Sequence, residues 1–175
     1  HMSTLSVDTI QGQTVTGEVK IPGHVVQMIH KNQTAVGSAA TTTFTDWFSQ
    51  SFTPQYNNSK ILVYCGISVA HSNNFSGQVR LLRDSTAIGG GVGTQGNHSD
   101  NQLINVRTLS NYNIDQTMNV VEDTPNTTSA VTYKLQYRSA SGSGNTIYLN
   151  RTIQHLNQNY DSPVNSSLTI VEIAQ

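Results

Sequence analysis

Residues 59–70, with the sequence SKILVYCGISVA, carry the clearest fold signal in the chain. Apolar residues stand at every second position, at Ile61, Val63, Cys65, Ile67 and Val69. Because successive side chains of a β-strand point to opposite faces, this alternation predicts a strand with one buried face. Cys65 is the single cysteine, so we expect a buried, unreactive thiol and neither an intramolecular disulfide nor a thiolate zinc site.

Five further segments carry strand patterns. They are VTYKLQYRS (131–139), GQVRLLRD (77–84), MNVVED (118–123), NTIYLNRT (145–152) and SSLTIVEIAQ (166–175). Turns rich in Gly, Asn and Ser lie between them, and no helical crossover pattern joins them. The pattern predicts an all-β fold, namely an antiparallel β-sandwich and most simply a jelly roll.

The segment FTDWFSQSF (44–52) has a different pattern. Phe44, Trp47 and Phe48 have the spacing of one helical face. The β-branched threonines before the segment and the Thr-Pro pair after it oppose a helix. We therefore predict strand, loop and strand here, with a helix as the alternative.

The composition indicates a folded chain with a thin core and a surface rich in amides and hydroxyls. Charged residues make up 11% of the chain, against ~25% in typical globular domains. Disordered chains usually combine low hydrophobicity with a high net charge, whereas the formal net charge here is −1. The 9 basic residues are too scattered for a nucleic-acid-binding surface, and no apolar run reaches the ~20 residues of a membrane span.

The chain divides into three parts. His1 and Met2 have the form of a remnant of cloning. Residues 3–22 form a segment rich in Thr, Val and Gly, whose apolar residues are too sparse to collapse alone. We expect this segment to be an extended stem or linker, ordered through other chains or the domain surface. Residues 23–175 form the predicted sandwich domain.

Sequence motifs for catalysis or cofactor binding are missing. The glycine-rich run IGGGVGTQGNHSD (88–100) lacks the Lys-Ser/Thr that follows a phosphate-binding loop, so it predicts a surface loop. The histidines lack metal-ligand spacing, and there is no nucleophile elbow. We therefore predict a protein that is not an enzyme and uses no cofactor or metal. A glycosidase that draws two carboxylates from distant strands is the alternative.

Several segments have a familiar form: STLSVDTIQG, FTPQYNNSKILV, VRLLRDSTAIGGG, TSAVTYKLQY, TIYLNR and SSLTIVEIA. Taken in order along nearly the whole chain, they resemble a widespread group of marine bacteriophage tail-fibre or virion structural proteins. The central part is also similar, more faintly, to the trimeric C1q/TNF-like jelly roll, although the aromatic-rich signature of that fold is reduced here to SSLTIVEI.

This resemblance implies a homotrimeric module of a phage tail fibre that is assembled in the host bacterial cytoplasm and contacts the host cell surface through glycans. The lack of disulfides agrees with assembly in a reducing compartment. The stem segment would join the module to other virion or tail proteins. Two alternatives stay open. The first is a purely structural virion protein without a ligand, such as a capsid decoration or fibre shaft, and the second is a glycan depolymerase.

Loops at one end of the sandwich are the expected contact with host saccharide. Short polar side chains of GTQGNHSDN (93–101) would supply hydrogen bonds, and tyrosines of other loops would pack on the apolar face of a sugar. The candidate residues are Asn97, His98, Asp100, Asn101, Tyr112 and Tyr160. Trp47 is the next candidate. The alternative is that these polar residues merely form a solvated turn.

Overall fold

The computed structural model describes residues 21–72, 76–91, 101–108, 110–140 and 144–175. Within these ranges all the regular elements are β-strands, as the sequence pattern predicts. The strands are β1 Val25–Gln33, β2 Gly37–Ala39, β3 Thr45–Phe52, β4 Lys60–His71, β5 Gly77–Arg83, β6 Thr86–Ile88, β7 Ile104–Val106, β8 Asp115–Asp123, β9 Val131–Ser139, β10 Ile147–Leu149 and β11 Ser166–Ile173. The stem predicted over residues 3–22 lies almost entirely outside the described residues.

The eleven strands pair antiparallel in two sheets. In sheet A, the central strand β4 pairs along one side with β8 and along the other with β11 and then β10. Strand β1 adds to β11, and β2 adds to β10. In sheet B the order is β3-β9-β5, and both β6 and β7 pair with the far side of β5. No described helix has the length and hydrophobicity to cross a lipid bilayer.

The inner faces of the two sheets share one hydrophobic cluster, which is consistent with a β-sandwich. Burial of each large aliphatic or aromatic side chain contributes about 1.5–3 kcal/mol, so this cluster supplies the main stabilisation of the domain. At its centre, sheet A contributes Ile61, Val63, Cys65, Ile67 and Val69, and sheet B contributes Val79, Leu81, Tyr133 and Leu135.

The strands predicted over 59–70 and 131–139 are confirmed as β4 and β9. The other four predicted segments contain β5, β8, β10 and β11. Strands β1, β2, β6 and β7 were not predicted. Three of them have three residues each, and β1 mixes polar residues into both faces, so none shows the period of two that marks a half-buried strand.

The loop predicted within residues 44–52 is wrong, because β3 runs without a break through Thr45–Phe52. The pairing with β9 shifts register between Asp46 and Phe48, which is a β-bulge. The extra residue lets neighbouring Trp47 and Phe48 both pack against the core. The bulge therefore explains why two adjacent aromatic residues of one strand both face the core. Phe44, the third residue of the helical spacing, precedes β3 and instead contacts Arg80 and Arg138.

The two ends of the sandwich differ. At the upper end, β4 ends at His71, whose Nε2 lies 2.9 Å from Ser139 Oγ of sheet B. This end carries the loop before β8. The loop after β10 begins beside Ser68 and reaches the same end, where Gln154 bonds to Asn111 of the loop before β8. At the lower end, β4 begins at Lys60 after a loop over residues 53–59. The upper loops contain two of the candidate residues, Tyr112 and Tyr160.

Glu172 of β11 is a fully buried carboxylate at the lower end. Its Oε1 accepts hydrogen bonds from the backbone N–H groups of Gln55, at 2.9 Å, and Tyr56, at 3.0 Å, and from Ser59 Oγ at 2.7 Å. Its Oε2 accepts one from Gln27 Nε2 at 2.6 Å. Glu172 therefore joins the loop before β4, and strand β1, to β11.

Cys65 provides a direct check on the core. Its side chain is fully buried, and this burial raises the pKa of the thiol to about 12. We expect the folded protein to react with a thiol-specific disulfide reagent only at the rate of unfolding, because the reactive thiolate is neither formed nor accessible. The same reagent should titrate one thiol per chain in concentrated guanidinium chloride. Rapid reaction of the folded protein would contradict this packing.

Candidate functional site

Two loops at the upper end bring together two residues predicted to contact saccharide. Tyr112 lies in the loop between β7 and β8, and Tyr160 lies in the long loop over residues 150–165, between β10 and β11. Their ring centroids are 5.7 Å apart with an interplanar angle of 79°. This edge-to-face geometry is one that aromatic pairs prefer. The two side chains are 48% and 65% exposed, so both rings remain accessible from solvent.

The two loops are also joined through their backbones. The N–H of Gln154 in the long loop donates to the carbonyl of Asn111, next to Tyr112, at 3.2 Å. The tyrosine pair is therefore supported by a hydrogen bond between the same two loops.

Asn150 fixes the start of the long loop. Its backbone φ is 57°, a left-handed conformation that asparagine tolerates better than most residues. The fully buried side chain donates from Nδ2 to the carbonyls of Gln33 and Ala35, at 2.8 and 3.0 Å. Its Oδ1 accepts from Ser166 Oγ at 2.7 Å. The start of the loop is thereby attached to β1 and to the first residue of β11.

Asp161 organises the interior of the same loop. The carboxylate accepts hydrogen bonds from the Thr152 hydroxyl and from the N–H of Leu156. These two hydrogen bonds hold the pKa of Asp161 below its usual value, and the bond from Thr152 has the larger effect. Thr152 Oγ1 also accepts from the N–H of His155 at 2.9 Å. The loop that presents Tyr160 is therefore held together by its own side chains.

The outer face of sheet A carries a shallow hollow of about 390 Å³. Its floor is Gly66, where a Cβ atom would lie 2.8 Å from Ser167 Oγ. Ser68 Oγ donates to the carbonyl of Asn165, at the end of the long loop, at 2.8 Å. Polar groups and one methionine thus line the hollow together: Gly66, Ser68, Gln116, Met118, Asn165 and Ser167.

A second hollow, of about 280 Å³, lies within the long loop itself. It is lined by His155, Leu156, Asn157, Gln158, Asp161, Ser162 and Pro163. The Asp161 carboxylate is already engaged by Thr152 and Leu156, so this hollow presents mainly amide and hydroxyl groups.

Asn101 has a structural position at the foot of the predicted binding loop. Its φ is 55°, and its Nδ2 donates to the carbonyl of Ala87 on β6 at 2.7 Å. Its Oδ1 is buried and has no hydrogen-bond partner among the described residues. The other three candidates in this loop, Asn97, His98 and Asp100, lie outside the described residues.

Trp47, the further candidate, is engaged in packing. Its ring lies edge-on to Phe48 at a centroid distance of 5.3 Å and to Tyr137 at 6.3 Å. It is partly buried against the core cluster. A saccharide would therefore find less free ring surface on Trp47 than on the tyrosine pair.

Acidic groups have structural partners throughout the described part of the chain. Each of its seven carboxylates accepts a hydrogen bond or forms an ion pair: Asp46 with Lys134, Asp84 with Thr132, Asp115 with Thr108, Glu122 with Lys60, Asp123 with Arg83, Asp161 with Thr152, and Glu172 as described above. No group of three or more metal-ligating side chains occurs among the described residues.

Sequence reasoning missed the hollow on sheet A. Gly66 was counted as part of a regular strand, yet a glycine inside a strand is a known signal of close approach or a gap. In the sequence, Met118 was assigned only to the predicted strand MNVVED, and no local pattern marked it as lining a hollow. Its position beside Gly66 follows from the pairing of β4 with β8, which adjacent sequence does not specify.

The sequence matches no model of a known protein family, and it matches no curated protein.

Proposed function

We propose that this chain is a homotrimeric module of a phage tail fibre or similar external virion appendage, and that it attaches to host-surface glycans through its upper loops. The observation that carries the proposal is the exposed pairing of Tyr112 with Tyr160 on two loops joined to each other. Sugars present apolar ring faces that pack on aromatic side chains, and hydroxyl groups that need short polar partners.

The strand order supports a jelly roll within this proposal. Sheet A contains the sequence of neighbours β1-β11-β4-β8, and sheet B contains β3-β9-β5-β7. Successive long strands therefore alternate between the sheets, and the last strand lies beside the first. Two antiparallel sheets of four strands with such connections are typical of jelly rolls.

The outer face of sheet A supports the homotrimer. Met28, Met118 and Val120 are each more than half exposed on this face. Two further apolar residues lie beside Met28 on the same face. Met28 on β1 pairs with Val171 on β11, and Val171 pairs with Leu62 on β4. The exposed apolar groups thus lie on β1 and β8, and the buried Val171 and half-buried Leu62 lie between them. Exposed apolar patches are a mark of protein contact surfaces. Neighbouring chains would cover this face.

Charge on this face is sparse, as an interface between identical chains requires. Lys60 and Glu122 lie at its lower end and pair with each other at 2.9 Å. His30 on β1 bonds to Thr169 of the adjacent strand at 2.7 Å. Since burial of an unpaired charge is costly, a face whose charged groups are already paired is favourable for association.

The binding test compares two double variants of the tyrosine pair with the parent. Replacing Tyr112 and Tyr160 with alanine should reduce binding to host cells and to arrayed bacterial glycans at least about tenfold, because the stacking surface is lost. Replacing both with phenylalanine should retain most of the binding, since the rings remain. If the folded alanine variant binds as well as the parent, the glycan-binding site lies elsewhere on the protein.

Tyr56→Ala is the matched control. Tyr56 lies in the loop before β4, at the opposite end of the sandwich, and its loss removes a ring without touching the upper loops. A trimeric parent that binds neither cells nor any arrayed glycan would favour the purely structural virion protein. Release of reducing sugar ends from a bacterial polysaccharide would instead favour the depolymerase.

A further inference from the structure

The hollow within the long loop adjoins the tyrosine pair. The N–H of Asp161 donates to the carbonyl of Gln158 at 3.0 Å, which closes a turn with Asn159 and Tyr160 at its centre. Gln158 and Asp161 also line the hollow, whose volume is about 280 Å³. The turn that carries Tyr160 is therefore part of the wall of the hollow, so one ligand can contact both.

Polar side chains in this wall are not used by the protein itself. Asn157, Gln158 and Ser162 are exposed lining residues, and their side chains make no hydrogen bond within the described part of the chain. Each amide offers two N–H donors and a carbonyl acceptor, and the hydroxyl can donate or accept. The hollow therefore offers donors and acceptors side by side to a ligand group that carries one of each.

An apolar surface lies beside these polar groups. Leu156 and Pro163 line the hollow, and Leu156 is 39% exposed. The backbone N–H of Leu156 donates to the Asp161 carboxylate, which fixes this residue within the loop. Contact with a methyl group would remove apolar surface of both partners from water. The hollow thus suits a ligand that carries a methyl group next to a polar one.

Charge in the hollow favours a neutral ligand. The lowered pKa of Asp161 keeps its carboxylate ionised at neutral pH, and His155 is the other titratable group of the lining. No lysine or arginine is among the described residues that line the hollow. Arg151 of the same loop instead lies with its Cζ atom 4.6 Å from the centroid of the Tyr148 ring on β10. An acidic sugar would therefore be repelled by Asp161, because like charges repel.

We propose that the hollow binds the acetamido group of a neutral 2-acetamido sugar, while the rings of Tyr112 and Tyr160 pack on the neighbouring sugar unit. The inference rests on the proposed function and adds the class of glycan. An acetamido group carries an N–H donor, a carbonyl acceptor and a methyl group, which match the amides of Asn157 and Gln158 and the side chain of Leu156. At about 280 Å³ the hollow is just below the ~300–1,000 Å³ of typical small-molecule sites, so it suits one sugar unit and not an oligosaccharide.

The test measures the affinity of the full chain for two pairs of disaccharides by calorimetric titration. N,N′-diacetylchitobiose is compared with cellobiose, and N,N′-diacetyllactosediamine with lactose, because the members of each pair differ only in carrying acetamido or hydroxyl groups at C2. In at least one pair the acetamido member should bind about tenfold or more tightly, since it adds hydrogen bonds and a methyl contact. Equal affinity within both pairs, tighter binding of the hydroxyl members, or no binding of any of the four would overturn the proposal.

Replacing Asn157 and Gln158 with alanine should remove most of this preference, so that both members of a pair bind with nearly equal affinity. Leu156→Ala removes only the apolar contact and should reduce the preference severalfold. It also serves if the double variant fails to fold, because the Leu156 side chain is partly exposed and lies outside the core cluster. A preference that persists unchanged in the folded variants would overturn the proposal.

The matched control is Gln55→Ala with Asn57→Ala. It removes the same two amide types from exposed positions in the loop over residues 53–59, at the lower end of the sandwich. This control should keep the full preference for the acetamido sugars. An equal loss of preference in the control would overturn the assigned site.

The alanine variant of Tyr112 and Tyr160 separates this inference from the proposed function. It should weaken binding of both members of a pair alike and leave the ratio of their affinities nearly unchanged. If it loses cell binding while the Asn157→Ala/Gln158→Ala variant keeps the full preference, the tyrosine site is upheld and the acetamido subsite is wrong. If it binds like the parent while the Asn157→Ala/Gln158→Ala variant loses the preference, the tyrosine site is wrong and the acetamido subsite is upheld.

Discussion

Replacing Glu172 with alanine is expected to lower the free energy of unfolding by about 3 kcal/mol or more. The carboxylate is fully buried and satisfies donors from Gln55, Tyr56, Ser59 and Gln27. In the variant these donors lose their acceptor, and each buried donor without a partner costs about 1–3 kcal/mol. Thermal unfolding should show the effect as a fall in Tm of roughly 10 °C for a domain of this size.

Glu122→Ala is the control for this prediction. Glu122 is exposed and pairs with Lys60, so its removal should change stability by less than about 1 kcal/mol. All variants must be compared at one protein concentration, because association would add to their stability. A loss for Glu172→Ala as small as that for Glu122→Ala would mean that the hydrogen bonds of Glu172 contribute little.

The same carboxylate predicts a pH dependence. Burial by itself opposes ionisation of Glu172, but the hydrogen bonds from Gln55, Ser59, Gln27 and Tyr56 together outweigh it and hold the pKa below its ordinary value. A carboxyl group with a lowered folded-state pKa stabilises the protein above its unfolded pKa, about 4.3 for glutamate. That stabilisation is lost as the pH falls from there through the folded-state pKa.

Glu172→Gln measures this contribution, since it removes the titrating group and keeps the shape. The parent should be more stable than the glutamine variant at pH 7, and the difference should shrink as the pH is lowered below about 4.3. Other titrating carboxylates cancel when the two curves are subtracted. A difference that stays constant from neutral to acidic pH would contradict the lowered pKa.

Introducing aspartate at both Met118 and Val120 should convert the proposed trimer into a monomer. The two side chains are 62% and 54% exposed on the outer face of sheet A, so the substitutions leave the core of each chain intact. In a trimer they would place two extra charges in each interface, and the burial of unpaired charge strongly opposes association. Light scattering should report three times 19.0 kDa for the parent and a single chain of 19.0 kDa for the variant.

The control adds the same two negative charges to exposed positions of sheet B, as Ser51→Asp with Asn105→Asp. This variant should stay trimeric. A parent that remains a single chain at micromolar concentration would end the trimer proposal. If the parent and the Met118→Asp/Val120→Asp variant are both trimers, the protein forms a trimer whose interface lies on another face.

The candidate site shows how far local sequence can be used. Tyr112 and Tyr160 were recognisable because each is a large aromatic residue in a polar loop, where burial does not require it. Their contact at 5.7 Å depends on how the long loop is folded by Asn150, Thr152 and Asp161. No local pattern predicts that arrangement, since the loop is attached to β1 and to the loop of Tyr112 by hydrogen bonds between segments far apart in sequence.

The amino-acid sequence alone determined the all-β class, the positions of β4 and β9 and the burial of Cys65, because a period of two is a local property of each strand. Tertiary structure decided the rest. Strand partners, the bulge at Trp47, the donors around Glu172 and the meeting of Phe44 with Arg80 and Arg138 all depend on contacts between distant segments. The register that creates such contacts is chosen by packing of the whole core, which no single segment contains.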